Sequence, residues 1–205
     1  MAVIKIMDEL LANKIAAGEV VERCSSVVKE LVENSIDAKS TEIKVELIES
    51  GIKEIKVIDD GCGMDKEDAV IAFNRHASSK VYDEDDLYHI HTLGFRGEAL
   101  ASIASVTKVD LHTSTGSVGT HVTINGGKII NIENCDSRKG TIISVKELFY
   151  NTPARLKHLK SLYTELSNIM DYMNKIALSH PNIRFVVIND GKELLNTDGS
   201  GNLLK

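Results

Sequence analysis

Proline, cysteine, positive net charge and long apolar runs are all scarce in this chain, and each scarcity removes a class of protein. Two prolines in 205 residues and no low-complexity tract argue against wholesale disorder, and no internal repeat is visible. Three cysteines, Cys24, Cys62 and Cys135, are odd in number, far apart and outside any C-x-x-C pair. They do not read as a disulfide framework or a structural zinc site, and are expected to be reduced thiols. Nowhere do eighteen apolar residues run together, so no membrane-spanning helix is expected. The opening MAVIKIMDELLANK meets Asp8 before any apolar core of the signal-peptide kind, and the protein reads as cytosolic. A formal net charge of -6 means the chain as a whole is no polyanion binder, so any contact with nucleic acid needs a local basic patch. Both standard phosphate loops, G-x-x-x-x-G-K-[ST] and G-x-G-x-x-G, are missing, so a nucleotide would have to be bound by another geometry.

What the sequence does contain is globular: 42% hydrophobic and 26% charged residues, enough to bury a sizeable core in one large domain, or one domain and the start of another. SSVVKELVENSIDA offers serine caps and then an apolar stripe through Val27, Val28, Leu31, Val32 and Ile36, which predicts a helix ending near Ala38. TEIKVELIESGIKEIKVIDD alternates as a hairpin turning at Ser50-Gly51, and Asp65 begins a further helix. The acidic stretch from Arg75 to Leu93 has little periodicity and reads as a long mobile connection, a lid. A helix from near Glu98 precedes four strands, 107–114, 119–125, 128–133 and 140–148, with an Asn-Gly-Gly turn at Asn125. Thr152 as cap, Pro153 at the first helical position and apolar residues spaced from 156 to 177 predict one long helix. A final hairpin spans IRFVVINDGKELLNT, and the unconcluded tail DGSGNLLK is read as a cut inside a second domain that the long helix introduces. Helices and meandering strands in this order predict an α+β sandwich, a sheet with helices on one face.

Three stretches carry possible chemistry. Glu30, Asn34 and Asp37 stand at i, i+4 and i+7, lining carboxylate and amide oxygens along one helix face. Mg²⁺ takes one or two hard oxygen ligands alongside waters and phosphates, and a neighbouring carboxylate can accept a proton from an attacking water. The same spacing also serves a plain solvated face. In DDGCGM, Asp59 can accept from the exocyclic amine of adenine while Gly61 and Gly63 let the backbone approach; an ordinary strand-to-helix turn needs the same residues. GFRGEAL, with Gly94 and Gly97 about Arg96, can present free amides to a phosphate or can simply open a helix. His89 and His91 lack a third ligand nearby, and the run Arg155, Lys157, His158, Lys160 is either a phosphate contact or a solvated helix face.

KELVENSIDA, DDGCGM and GFRGEALASI, in this order, resemble the successive nucleotide motifs of the GHKL ATPases. The longer strings NKIAAGEVVERCSSVVKELVENSIDA, RHASSK, GFRGEALASI and LFYNTPARLKHLK narrow the resemblance to the N-terminal domain of MutL-type DNA mismatch repair proteins. The resemblance covers essentially the whole chain. It implies a Bergerat sandwich, a mixed and mostly antiparallel sheet with helices on one face. It also implies a Mg²⁺-dependent ATPase, with Glu30 as general base and Asn34 as the Mg²⁺ ligand. Asp59 becomes the adenine contact, Gly63 and Met64 the lining of the base pocket, Thr141 its neighbour, and Asp37 and Ala38 residues beside the nucleotide. Lys80 matches a phosphate-contacting lid lysine, and the backbone of Gly94, Phe95, Arg96, Gly97, Glu98, Ala99 and Leu100 is expected to wrap the phosphates.

The same resemblance implies that ATP orders the loop from Ser78 to Gly97 and drives N-terminal domains together as a homodimer. That step would couple mismatch recognition to downstream repair proteins, with weak non-specific DNA binding, in the bacterial cytosol and without a membrane. This chain has Cys24 where many relatives carry proline and Asp60 where others carry asparagine. The resemblance also implies that the family's second domain supplies a lysine to the γ-phosphate, which residues 1–205 do not include. The competing reading is a nucleotide-gated clamp that holds DNA or protein through the Arg155 to Lys160 patch without useful catalysis.

Overall fold

The computed structural model describes residues 20–78, 97–136 and 138–202, together with Lys5, Met7, Asp8, Ile15, Ala17, Gly18 and Leu93. Alternating apolar residues give the strands β1 (Glu42–Ile48), β2 (Glu54–Asp59), β3 (Lys108–Ser114), β4 (Gly119–Asn125), β5 (Lys128–Cys135), β6 (Gly140–Lys146), β7 (Arg184–Asn189) and β8 (Lys192–Asn196). They form one eight-stranded sheet in the order β5-β4-β3-β6-β2-β1-β7-β8. Its neighbours are antiparallel except β1 and β7, which run parallel. The α+β sandwich read from the sequence, mixed and mostly antiparallel, is the architecture found.

Helix α1 (Cys24–Asp37) lays Val27, Val28, Leu31 and Val32 on Ile43, Val45, Ile55 and Val57 of the sheet, all at most 3% exposed. Each such side chain contributes about 1.5–3 kcal/mol by leaving water. The helix starts at Cys24 with Arg23 at its N-cap and no side-chain cap, so Ser25 and Ser26 lie inside it rather than capping it. Short helices α2 (Lys66–Ile71) and α3 (Ala99–Ser105) follow, α2 capped by Asp65, whose carboxylate accepts the Asp68 amide at 2.8 Å.

The single long helix expected after Thr152 is two. Helix α4 (Pro153–His158) ends at Leu159, and α5 (Leu162–Ser179) restarts behind Ser161. The Ser161 hydroxyl accepts the Thr164 amide at 3.2 Å and Glu165 accepts the Lys160 amide at 3.2 Å. These local bonds satisfy the donors of a new helix start, which is why apolar periodicity ran through the break unseen. Thr152 stands at the N-cap of α4, but its hydroxyl makes no capping bond. Helix α5 packs Ile169, Met173 and Ile176 into the core and lies against α1. Among the described residues no helix is long and apolar enough to cross a membrane.

Candidate functional site

Strand register decides what meets at one end of the sheet. Asp59 of β2 pairs with Thr141 of β6, and Thr141 pairs with Thr113 of β3. The core-facing rows Ile55-Val57-Asp59, Val109-Leu111-Thr113 and Thr141-Ile143-Val145 therefore end side by side in three polar residues, on the face that the helices cover. Helix α1 crosses above this end.

Asp59 is 6% exposed and fixed at three points. Its Oδ1 accepts the amides of Gly61 at 2.9 Å and Thr141 at 3.2 Å, and its Oδ2 accepts the Ser35 hydroxyl at 2.8 Å. Burial pushes the carboxyl above its usual range, only partly opposed by those three hydrogen bonds. Asp60 next to it does different work. Its carboxylate accepts the Thr41 and Glu42 amides at 2.7 and 3.0 Å and also the Thr41 hydroxyl, which outweighs its partial burial and holds it below the usual range. Asp60 is thus a clasp on the start of β1.

The glycines around Asp59 are required by contact as well as conformation. Gly63 has φ +68°, and a Cβ there would stand 2.0 Å from the Ser114 carbonyl oxygen. Gly140 has φ +114°, and a Cβ would stand 2.2 Å from the Asp59 carbonyl oxygen. The Cys62 amide donates to the Ala38 carbonyl at 2.9 Å and the Met64 amide to Thr113 Oγ1 at 2.9 Å. The glycine loop is thereby tied both to the end of α1 and to β3.

Glu30, Asn34 and Asp37 run along α1 above this loop, each partly exposed. Lys29 Nζ lies 3.7 Å from Glu30 Oε1 and 3.6 Å from Glu33 Oε2. Burial raises the Glu33 carboxyl, against the pull of the Lys29 ammonium. Asp37 Oδ1 accepts the Leu93 amide at 3.2 Å. Gly97 has φ +61° and lies against residue 77, where a Cβ would meet the Ala77 carbonyl oxygen at 2.6 Å. Glu98 occupies the N-cap of α3, with Ala99 and Leu100 in its first turn.

Of the residues singled out from sequence, Asp59, Gly63, Met64 and Thr141 are brought together, as are Glu30, Asn34 and Asp37 on α1 with Ala38 at its C-cap. Lys80, Gly94, Phe95 and Arg96, and with them most of the lid stretch, His89 and His91, lie outside the described residues. Sequence reasoning missed Ser35, Thr113 and Gly140. Ser35 was open to notice one helical turn after Leu31, on the sheet-facing side; Thr113 becomes visible only once β3 and β6 are in register. Arg155 of the basic run turns inward, with Nη2 3.3 Å from the Ile15 carbonyl oxygen, leaving Lys157, His158 and Lys160 exposed. A concavity of about 840 Å³ reaches Asp59, Thr113, Gly140 and Thr141 and extends along the neighbouring strands. Its lining includes Asp110, stacked His112 and His121 with ring centroids 4.0 Å apart, and Lys146, which bonds Asp110 at 2.8 Å.

Residues 22–152 match the model of the histidine kinase-, DNA gyrase B- and HSP90-like ATPase family. The DNA mismatch repair protein MutL of Geobacillus kaustophilus is 56% identical over 99% of this chain and 32% of its own length. That of Staphylococcus epidermidis is 57% identical over 98% and 31%. The chain thus spans about a third of the length of the curated relatives it matches. Among solved structures, the Aquifex aeolicus MutL ATPase domain complexed with ADP superposes with a TM-score of 0.71 at 32% identity, over 88% of this chain and 65% of that one. The N-terminal domain of a DNA repair protein gives 0.77 at 30% identity, over 91% and 56%. The family match agrees with a buried carboxylate clasped by a glycine loop beneath a helix carrying Glu30 and Asn34: the chain belongs to the histidine kinase-, DNA gyrase B- and HSP90-like ATPases, and the relatives it resembles are MutL proteins.

Proposed function

We propose that the chain binds ATP and hydrolyses it slowly as the N-terminal ATPase part of a MutL-type mismatch repair protein. The observation that carries the reading is Asp59: a buried carboxylate held by Ser35, Gly61 and Thr141 at the end of an apolar sheet face is an acceptor suited to an exocyclic amine. Gly63 and Met64 line the base side, with Thr141 beside them, and Ala38 and Asp37 flank the nucleotide from α1.

Glu30 is the general base for the attacking water, and its partly exposed carboxylate on α1 suits contact with solvent. Asn34, one turn further along, offers a carbonyl oxygen to Mg²⁺. Among the described residues no three His, Cys, Asp or Glu side chains form a metal cage; magnesium bound through phosphates needs none. When bound, the ion neutralises charge developing on the phosphates. The positive φ of Gly97 turns the chain into α3, and backbone amides of residues 94–100 with Lys80 are assigned to the phosphates.

Glu30→Ala in the full-length protein is expected to abolish turnover and leave ATP binding intact; undiminished hydrolysis refutes the role. ATP-driven ordering of residues 78–97 and dimerisation of N-terminal domains complete the reading, as the step that engages DNA and repair partners in the cytosol. Equal proteolysis between Tyr82 and His91 with and without a non-hydrolysable ATP analogue would contradict that ordering. The clamp reading draws on exposed Lys157, His158 and Lys160, and salt-dependent DNA binding without ATP turnover would favour it.

A further inference from the structure

We propose that Thr113 is a positioning residue for base recognition. It fixes the direction of the Thr141 hydroxyl proton and so helps the site choose adenine over other purines. The inference rests on reading the Asp59 end of the sheet as a nucleotide base site.

A hydroxyl has one proton and two lone pairs. The Met64 amide can only donate, so its 2.9 Å contact occupies one lone pair of Thr113 Oγ1. The single Thr113 proton then has two acceptors in reach, the Gly140 carbonyl oxygen at 3.3 Å and Thr141 Oγ1 at 3.1 Å. We assign it to Thr141, the shorter contact, over the arrangement in which Thr113 donates to Gly140 and accepts from Thr141 on its second lone pair; that arrangement turns the Thr141 proton inward and predicts an unchanged ratio in Thr113→Val. Thr113 is 2% exposed, whereas Thr141 is only partly buried. Having received a proton on the buried side, Thr141 turns its own proton outward, beside Asp59.

Adenine carries a donor, its exocyclic amine, next to an acceptor, ring nitrogen N1. Guanine and hypoxanthine reverse both. Asp59 as fixed acceptor and Thr141 as fixed donor match the adenine pair and oppose the reversed one, directly or through one water. Asp59 has its polarity by charge; Thr141 has its polarity only through Thr113. Thr113 also anchors Met64, so the loop lining the base and the hydroxyl facing it share one pin.

The test titrates this chain with ATP and with 1-deaza-ATP, which lacks the N1 acceptor. Wild type should prefer ATP by about tenfold, the order of one neutral hydrogen bond. Thr113→Val, which keeps the shape and frees the Thr141 hydroxyl to rotate, should lower the preference to about twofold or less. Thr113→Ser should retain it, and melting curves confirm that each variant folds. If Thr113→Val weakens both nucleotides equally and leaves the ratio unchanged, Thr113 only packs the loop and the proposal is overturned. A wild type that binds ATP but shows no preference over 1-deaza-ATP overturns it as well. A wild type that binds neither nucleotide instead defeats the base-site reading beneath it.

Discussion

Asp59 sits where an apolar strand face would otherwise continue, and its burial has opposite consequences for folding and for binding. In the folded state its carboxyl is raised above the usual 3.8, because burial disfavours the charge more than Ser35, Gly61 and Thr141 restore it. The native state therefore holds this proton to higher pH than the unfolded chain does. Stability from this group falls as pH rises from about 3.8 through the raised native value. An exocyclic amine needs the ionised acceptor, so ATP affinity should move the other way, weakening as pH drops from neutral through that same value. Asp59→Asn keeps one oxygen for Gly61 and Thr141 and removes the buried charge. It should leave the melting temperature near that of wild type while lowering ATP affinity by roughly ten- to a hundredfold, the range for hydrogen bonds to charged groups. Calorimetric titration of both proteins across the acid range checks size and sign together; an unchanged affinity in Asp59→Asn would remove Asp59 from the site. Gly97→Val adds a β-branched side chain at φ +61° against the Ala77 carbonyl, and should cost at least about 1–3 kcal/mol of stability in chemical denaturation.

Two helices in this protein, α2 and α5, are begun by their own side chains, and the loops between elements are positioned by their neighbours. The break between α4 and α5 shows the first half: Ser161 and Glu165 supply acceptors for the amides of Thr164 and Lys160, so a new helix starts within a continuous apolar pattern. Ser161→Ala should lower stability by about 1 kcal/mol, the usual loss for an N-cap, seen as a lower urea midpoint at unchanged slope. The glycine loop after β2 shows the second half. Nothing in DDGCGM specifies that Gly63 must pass within contact of Ser114 on β3, yet that approach lets Met64 reach Thr113. Gly63→Ala should thus disturb the loop far more than an exposed glycine of similar φ such as Gly191, where an added Cβ meets nothing within 4 Å. Comparing the melting temperatures of the two alanine variants checks the order.

At the scale of the molecule, one sheet unites residues from near both ends of the described chain. β7 enters parallel beside β1, pairing Phe185 with Ile43 and Val187 with Val45, and converts β1 from an edge into an interior strand. Phe185 is fully buried. Phe185→Ala should destabilise the protein by about 3–5 kcal/mol through lost burial and the cavity left behind, measurable by urea unfolding. A loss below about 1 kcal/mol would mean the last hairpin contributes little to the common core.

The sequence by itself determined the strands, the turns, the first helix and the identity of the chemical groups, because alternation, periodicity and glycine placement are local properties that short-range sterics enforce. It also determined the family, since KELVENSIDA, GFRGEAL and FYNTPAR survive as contiguous strings. What it could not express was adjacency between distant segments. Ser35 on Asp59, Thr113 on Thr141, and Arg155 turned toward Ile15 join positions 24, 28 and 140 residues apart. The break at Ser161 was local, but hidden under an apolar periodicity that the core happens to use on both sides of it. Only the tertiary structure decided these, because sheet register is settled by matching buried faces across strands, and a one-residue slip would turn Asp59, Thr113 and Thr141 out of their shared row.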